Sequence, residues 1–336
     1  MSSQRRQFIR AVGAVAAGGF AGCTSLLSEE SAPNQDSPAS TSTPTEGTPS
    51  STSAPTTTVT SNPSETATSK TPPSSGPDLT TESAKLLADD RDQDDRFGDA
   101  IAVSRDGQTL LIGATEDKAP SGDSTGSVYV FTRSDSEWTQ AAKLLPGDEG
   151  SKYQFGWAVA VAADGERAFV GAPGDADADI NRPGSVYLFE RAGGNWDKQA
   201  RLQAGDGDRD DRFGSAVSAS GDGATVLVGA QQDEDPNGNY AGSAYVFQAT
   251  DGTWSDQTKL ASTDRGGAFG ITVALSTDGT TALVGAPGNE NANGETAGAV
   301  YVFGEADGTW TQQTKIILED GSKEDIFGDV LSLAGD

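Results

Sequence analysis

The chain has 336 residues, which is long enough for two ordinary domains, but only 34% of them are hydrophobic. The formal net charge of −27 excludes nucleic acid as a partner, because it would repel a phosphate backbone. Histidine is absent from the sequence, which excludes Ser-His-Asp, Cys-His and His-ligated zinc chemistry. The excess of carboxylates indicates adaptation to concentrated salt, with a dedicated cation-binding surface as the alternative.

Residues 1–23 have the features of an export signal rather than of a folded element. Arg5 and Arg6, followed by Gln-Phe-Ile-Arg, resemble a twin-arginine (Tat) signal. The apolar run that follows is shorter than the roughly 20 residues that span a membrane, and it ends in Ala-Gly-Cys23, which resembles a lipobox. These resemblances imply a Tat-exported haloarchaeal lipoprotein, attached to the outer face of the membrane only through a lipid on Cys23.

Residues 24–82 are dominated by Ser, Thr and Pro and contain no aromatic residue. Such a segment cannot bury enough apolar surface to offset the entropy lost on ordering. We therefore expect a disordered stalk that spaces the following domain from the membrane.

A repeat of 56 to 58 residues occupies the rest of the chain, residues 83–336. Its units begin near the Phe-Gly pairs at Phe97, Phe155, Phe213, Phe269 and Phe327. Each complete unit continues with a Gly-Ala pair, a Gly-Ser-Val-Tyr-Val-Phe-like stretch, a Trp and a basic-aliphatic pair, which in the first unit are Gly113-Ala114, Gly126–Phe131, Trp138 and Lys143-Leu144. A further basic-aliphatic pair, Lys85-Leu86, precedes the first unit.

Within the first unit the pattern predicts four short strands, at 99–104, 109–114, 127–133 and 138–145. The third is apolar on both faces, which is typical of a sheet buried on both sides. Stacked four-stranded units are typical of β-propeller blades, and a solenoid of hairpins is the alternative.

The order of these landmarks resembles the FG-GAP repeat of integrin α chains, in its microbial variant. The resemblance implies an all-β propeller with four complete repeats and a partial fifth. Since this is fewer than the blades of an intact ring, we expect either a truncated gene or an open arc of blades, whose strand edges would be unpaired.

Calcium is the one cofactor that the sequence suggests. The Asp-Gly turns between the first two strands hold too few carboxylates for the calcium loop of integrin-type repeats. The loop between the second and third strands is richer in alternate oxygen-bearing side chains, although the bidentate Glu of a complete calcium loop is missing. The candidate ligands are Asp175, Asp177, Asp179, Asp233, Asp235, Asn237, Asn289, Asn291 and Asn293. The alternative is a set of hydrated acidic loops.

These features predict a non-catalytic surface module for adhesion or binding, whose loops recognise an extracellular protein or glycan. No catalytic residues are predicted, because the acids recur with the repeat instead of forming one distinct pair. The alternatives are a polysaccharide-active enzyme that uses carboxylates alone and a structural envelope protein without a discrete ligand.

Overall fold

The structure, a computed structural model, describes residues 84–118, 122, 124–147, 152–176, 183–234, 241–262, 267–290, 296–323 and 325–335. Arg5, Arg6 and Cys23, and with them the predicted export signal, lipobox and stalk, lie outside the described residues. No helix in the part of the chain that the structure describes is long and apolar enough to span a bilayer.

Four antiparallel four-stranded sheets, here called blades 1 to 4, follow one another along the chain. Blade 1 comprises β1 (Phe97–Val103), β2 (Thr109–Ala114), β3 (Ser127–Ser134) and β4 (Glu137–Leu144). Next come β5 (Lys152–Tyr153), β6 (Ala158–Val161), β7 (Arg167–Ala172), β8 (Gly174–Asp175), β9 (Ser185–Ala192) and β10 (Asn195–Leu202). The short β5 and β8 pair with each other, and the other four strands form blade 2. Blade 3 comprises β11 (Phe213–Ala219), β12 (Thr225–Ala230), β13 (Ser243–Thr250) and β14 (Thr253–Ala261). Blade 4 comprises β15 (Val273–Leu275), β16 (Thr281–Ala286), β17 (Ala299–Ala306) and β18 (Thr309–Ile317).

The predicted all-β fold of four-stranded blades is confirmed. In blade 1 the strands begin and end within two residues of their predicted bounds. All six residues of β2 are buried, as expected for a sheet covered on both faces. Consecutive blades cover one another's apolar faces.

Two kinds of tight turn close the hairpins within a blade. The β13–β14 turn has positive φ at both central residues, Asp251 (51°) and Gly252 (76°), as a type I′ turn requires. The β11–β12 turn is closed by its own side chains, since Asp222 Oδ1 accepts hydrogen bonds from Ser220 Oγ at 2.6 Å and from the N–H of Ala224 at 2.9 Å. These two hydrogen bonds lower the pKa of Asp222, whose carboxylate is therefore engaged within the turn.

Consecutive blades pack face to face. We call the side of a blade that faces the next blade its back and the other side its front. Between blades 2 and 3, the back contributes Phe169, Val186, Leu188 and Leu202, and the front contributes Phe213, Val226, Val228, Tyr245 and Phe247. The Phe213 ring meets the rings of Tyr245 and Phe247 edge to face, with centroids 5.5 and 5.8 Å apart. The same aromatic trio recurs in blades 2 and 4 at Phe155, Tyr187 and Phe189 and at Phe269, Tyr301 and Phe303.

Glycines of the repeat lie where the backbones of consecutive blades touch. A Cβ atom on Gly171 would lie 2.1 Å from the carbonyl oxygen of Gly214, and one on Gly184 would lie 2.1 Å from that of Phe213. The N–H of Phe213 also donates to the carbonyl of Pro183 at 3.0 Å. The Gly-Ala pair of one blade therefore contacts the Phe-Gly pair of the next blade, and we call this backbone contact the seam. Glycine is needed there because only glycine lets the two backbones approach so closely.

The turns between the first two strands of each blade form a hydrogen-bonded ladder. The N–H groups of Arg105, Ala163, Gly221 and Thr277 donate to the carbonyl oxygens of Ala163, Gly221, Thr277 and Gly335, at 3.2, 2.8, 2.7 and 3.0 Å respectively. The Arg105 guanidinium also donates to Thr277 Oγ1 at 2.9 Å, from the first blade to the fourth. The first strands of the four blades are thus gathered about a common axis, as in a propeller.

Candidate binding face

One edge of every blade carries a long loop. Because the strands are antiparallel, the loops between the second and third strands and the connectors between blades leave the same edge. The loops are residues 115–126, 173–184, 231–242 and 287–298, which are equal in length. The tight turns occupy the opposite edge. We call the first the long-loop edge and treat it as the candidate binding face, since loops on a rigid scaffold are the usual place for binding residues.

Three of the predicted calcium ligands lie among the described residues, and all three are buried: Asp175, Asp233 and Asn289. They occupy equivalent positions near the start of a long loop, and Asp117 holds that position in blade 1. The other six lie outside the described residues: Asp177, Asp179, Asp235, Asn237, Asn291 and Asn293. Within the described ranges, no group of three or more acidic, His or Cys residues could hold a metal ion. The calcium site therefore remains a prediction.

The buried acid of each loop belongs to a network that the structure shows most fully in blade 3. The Tyr245 hydroxyl oxygen lies 2.5 Å from Asp233 Oδ2 and 2.9 Å from Asp206 Oδ1, so its single proton is shared between the two carboxylates. Lys259 Nζ forms ion pairs with the same two carboxylates, at 2.9 and 2.8 Å. Asp206 lies in the connector from blade 2 and Lys259 in β14, so the network joins the base of the loop, two strands and the incoming connector.

The same network recurs in the other blades. Blade 1 repeats it with Asp117, Asp90, Tyr129 and Lys143. In blade 2, Arg201 replaces the lysine and its guanidinium lies 3.0 Å from Asp175 Oδ2. In blade 4 both acids are replaced by neutral groups, since Tyr301 donates to Asn289 Oδ1 at 3.2 Å and accepts a hydrogen bond from Ser262 Oγ at 2.8 Å.

Strand register explains why the tyrosine and the cation meet. Tyr245 on β13 lies directly opposite Lys259 on β14, and the other blades have the same cross-strand pair. Lys259 Nζ therefore also lies over the tyrosine ring, 5.4 Å from its centroid. Such cation–π contacts stabilise a cross-strand pair in addition to the hydrogen bonds.

Burial keeps these networks in one ionic form. Burial raises the pKa of Tyr245 well above its ordinary value, and its hydrogen bond to Asp233 raises it further. Burial by itself would lower the pKa of Lys143, but hydrogen bonds to Asp117 and Asp90 outweigh that effect and raise it. Neutral tyrosine and charged lysine thus persist across the usual pH range, which suits a structural rather than a proton-transferring role.

A second buried acid, Asp211, lies beside the blade 3 network and is 1% exposed. Its Oδ2 accepts the N–H of Asp208 at 2.5 Å, whereas its buried Oδ1 has no hydrogen-bond partner among the described residues. Burial, reinforced by the charges of Asp233 and Asp208, raises the pKa of Asp211 to about 6. In blade 4 the corresponding positions hold Gly267 and Asn289, so no charges face each other there.

The substitution Asp211→Asn is expected to remove a pH-dependent component of stability. Because the folded-state pKa is raised, the folded protein binds the proton more tightly than the unfolded chain, and stability falls as pH rises from about 4 to about 6. Above this window the wild type should lose at most about 3 kcal/mol relative to its value at pH 4. Urea unfolding of both proteins from pH 4 to 8 at constant salt should show a difference that grows through the window. Asp197→Asn, on the exposed face of β10, is the control, and a pH-independent difference for Asp211→Asn would contradict the assignment.

The sequence analysis missed the tyrosine and the basic residue as partners of the loop acids. Tyr245 was counted only as part of an apolar strand, and Lys259 only as a marker at the end of a unit. The signal was present, because Asp117, Tyr129 and a basic residue at the place of Lys143 recur at the same repeat interval in the second and third units. The periodicity could have grouped them, but only the strand register brings them into contact.

Four-stranded blades are arranged about one axis, and each has a tyrosine and a basic residue in contact with the buried residue at its loop base. This arrangement defines a β-propeller protein built from tandem repeats. The FG-GAP repeat family matches residues 80–131, 138–189, 196–247 and 254–303, which is more than half of the chain, and the protein belongs to this family. The last three matched segments begin in the fourth strand of one blade and end in the third strand of the next. The repeat unit is therefore offset from the blade by one strand, so that each unit connects two blades covalently.

A comparison with curated proteins finds no significant match. Among solved structures, the periplasmic gluconolactonase of Pseudomonas aeruginosa is similar to this chain at 17% sequence identity, with a TM-score of 0.44. The similarity covers 66% of this chain and 57% of the gluconolactonase chain.

Proposed function

We propose that this protein is a non-catalytic adhesion or binding module of the cell surface, anchored by a lipid on Cys23, whose long-loop edge binds an extracellular protein or glycan. One arrangement carries the proposal. Four loops of equal length leave the same edge of a rigid scaffold, and each starts beside a buried residue held by a tyrosine and a basic side chain. A binding surface needs loops that are fixed at the base and variable beyond it.

The acids at this edge support binding over carboxylate catalysis. A glycosidase needs one distinct pair of carboxyl groups, one of which donates a proton. Here the acids recur with the repeat, and Asp117 and Asp233 are ion-paired with Lys143 and Lys259. Both acids therefore stabilise the blade, and the distal residues of the loops are left for recognition.

Charge and anchoring narrow the class of partner. With a net charge of −27, the protein repels polyanions, so neutral glycans and basic protein surfaces are the partners that it favours. Residues 24–82 would act as a spacer that lets the blades reach such a partner beyond the membrane. Molar salt would screen the self-repulsion of the acidic surface.

A binding assay with the full-length protein tests the proposal. The protein is inserted into liposomes through its lipid, and the liposomes are applied in molar salt to an array of defined glycans and to immobilised cell-envelope proteins. Wild type is expected to bind, and replacing residues 235–240 and 291–295 by Gly-Ser sequences of equal length is expected to abolish binding. Asp251→Asn is the matched control, because it changes the opposite edge and keeps a type I′ turn. Cys23→Ser is expected to leave the protein in the aqueous phase. Binding that survives the loop replacement, or wild type that binds neither surface, contradicts the proposal.

A further inference from the structure

Two buried oxygen atoms of blade 3 have no hydrogen-bond partner among the described residues: Asp211 Oδ1 and Ser243 Oγ. Asp211 is 1% exposed and Ser243 is fully buried. Buried polar atoms are normally hydrogen-bonded, and buried charges are normally paired or bound to a metal ion. These two oxygens are therefore candidates for the ligands of an ion.

Both residues lie beside Asp233 at the base of the long loop. The N–H of the residue before Ser243 donates to the Asp233 carbonyl at 3.0 Å, which holds Asp233 next to the start of β13. The N–H of the residue before Asp233 donates to the Asp211 carbonyl at 3.2 Å, which holds the connector against the same loop base. The backbone thus brings two carboxylates and one hydroxyl together from three separate segments.

The charges of this cluster do not balance. Lys259 is ion-paired with Asp206 and Asp233, so one ammonium group faces these two carboxylates and that of Asp211. Burial raises the pKa of Asp211 to about 6, and the charge of Asp233 contributes, as expected for two carboxylates close together. Above that pH the ionised pair is unfavourable unless a further positive charge compensates it.

The other blades lack this combination of groups. In blade 2 the sequence has Tyr153 at the place of Asp211, and in blade 4 neutral residues replace both acids. Blade 1 carries both acids, as Asp95 and Asp117, but there Ser127 Oγ donates to Asp117 Oδ2 and the hydroxyl is already engaged. Blade 3 therefore combines the two acids with a hydroxyl that no described residue engages.

We propose that blade 3 binds a small, hard divalent cation, Mg²⁺ or Ca²⁺, through Asp211 Oδ1, the Asp233 carboxylate and Ser243 Oγ. Carboxylates and other oxygen atoms are the ligands that both ions prefer, and water completes their coordination shells. The Asp206 side chain is 52% exposed, so solvent reaches the edge of the cluster. Of the nine calcium ligands predicted from the sequence, only Asp233 takes part. The cation would fasten the connector and β13 to the loop base, whatever partner the loops bind.

Calorimetric titration of the full-length lipoprotein in detergent tests the site. Mg²⁺ and Ca²⁺ are titrated in separate runs, after chelator treatment, in molar KCl at pH 8. Wild type should show a saturable site for at least one of them, and Asp211→Asn should weaken it at least about tenfold, the smallest loss usual even for residues that only support a ligand. Asp210→Asn is the matched control and should bind as wild type does, because it removes the same charge from a neighbour that is ion-paired with Arg209.

Urea unfolding of the same three proteins separates cation binding from a purely structural role. Without a divalent cation, Asp211→Asn should be at least as stable as wild type, since it removes a buried charge. A saturating cation should raise the urea midpoint of wild type and of Asp210→Asn more than that of Asp211→Asn. The proposal is overturned if neither cation stabilises wild type, or if Asp211→Asn gains as much stability as wild type.

Discussion

The substitution Gly171→Ala is expected to destabilise the protein by at least about 3 kcal/mol, which is near the upper end of the usual cost of overpacking. The new Cβ would lie 2.1 Å from the carbonyl oxygen of Gly214 and 3.1 Å from its carbon. Both contacts are with the backbone of the next blade, so no side chain can rotate away to relieve them. Blades 2 and 3 would have to separate, which would open the apolar interface between them.

Thermal and urea unfolding, monitored by circular dichroism in molar salt, measure this effect. Gly205→Ala is the matched control, because the nearest atom to its Cβ would be the side-chain oxygen of Gln257 at 3.4 Å. Both substitutions reduce the entropy of the unfolded chain equally, so their difference isolates the clash. If the free energy of unfolding of the Gly171→Ala variant lies within a few tenths of a kcal/mol of that of the control, the backbones of blades 2 and 3 are not in close contact at Gly171.

The substitution Lys259→Met is expected to cost about 2 kcal/mol, because it leaves the Asp233 carboxylate buried without its cation. Asp233 Oδ2 would keep only the Tyr245 hydroxyl from this network. Because Lys259 is partly exposed, the cost should be below that of a fully buried pair. Urea unfolding at pH 7 in molar salt measures the loss, and the high salt shows that the effect is not a long-range surface attraction.

Two further variants separate the charge effect from lost packing. Lys259→Arg should retain most of the stability, because blade 2 uses Arg201 in the same place. In the Lys259→Met background, Asp233→Asn should recover part of the loss, since it introduces the neutral residue that blade 4 carries at Asn289. The double-mutant cycle then gives the coupling energy of the pair. A coupling energy near zero would mean that the network does not hold the loop base.

The blade architecture could be predicted because each blade is a local unit. β2 and β3 lie close together in sequence, are apolar on both faces, and are bounded by short polar turn segments, so period and pattern suffice to place them. The Asp-Gly turns could also be located, because their hydrogen bonds link residues only two to five positions apart. The predicted bounds within blade 1 agree for the same reason.

The networks at the loop bases could not be predicted in this way. Tyr245 is 12 residues from Asp233 and 39 residues from Asp206, and it contacts both. The sequence analysis treated Asp233 as a calcium ligand because alternate oxygen-bearing side chains are typical of calcium loops. In the fold, Asp233 accepts a hydrogen bond from Tyr245 and forms an ion pair with Lys259. Its predicted role as a calcium ligand stays a prediction. A side chain at the start of a loop is buried only when the strand register places hydrogen-bonding or charged partners beside it, and these partners are distant in sequence.

By itself the sequence determined the number of complete repeat units that it contains, the four strands of each and the positions of the turns, since these follow from contacts between residues near one another in the chain. The tertiary structure alone decided three further properties: which glycines meet the next blade, which acids are neutralised by a cation, and which apolar side chains remain uncovered. Ile316 and Leu260 hold equivalent places in the repeat, yet only Leu260 is covered. The reason is physical: burial depends on what packs against a face, and that neighbour is a blade assembled from another part of the chain.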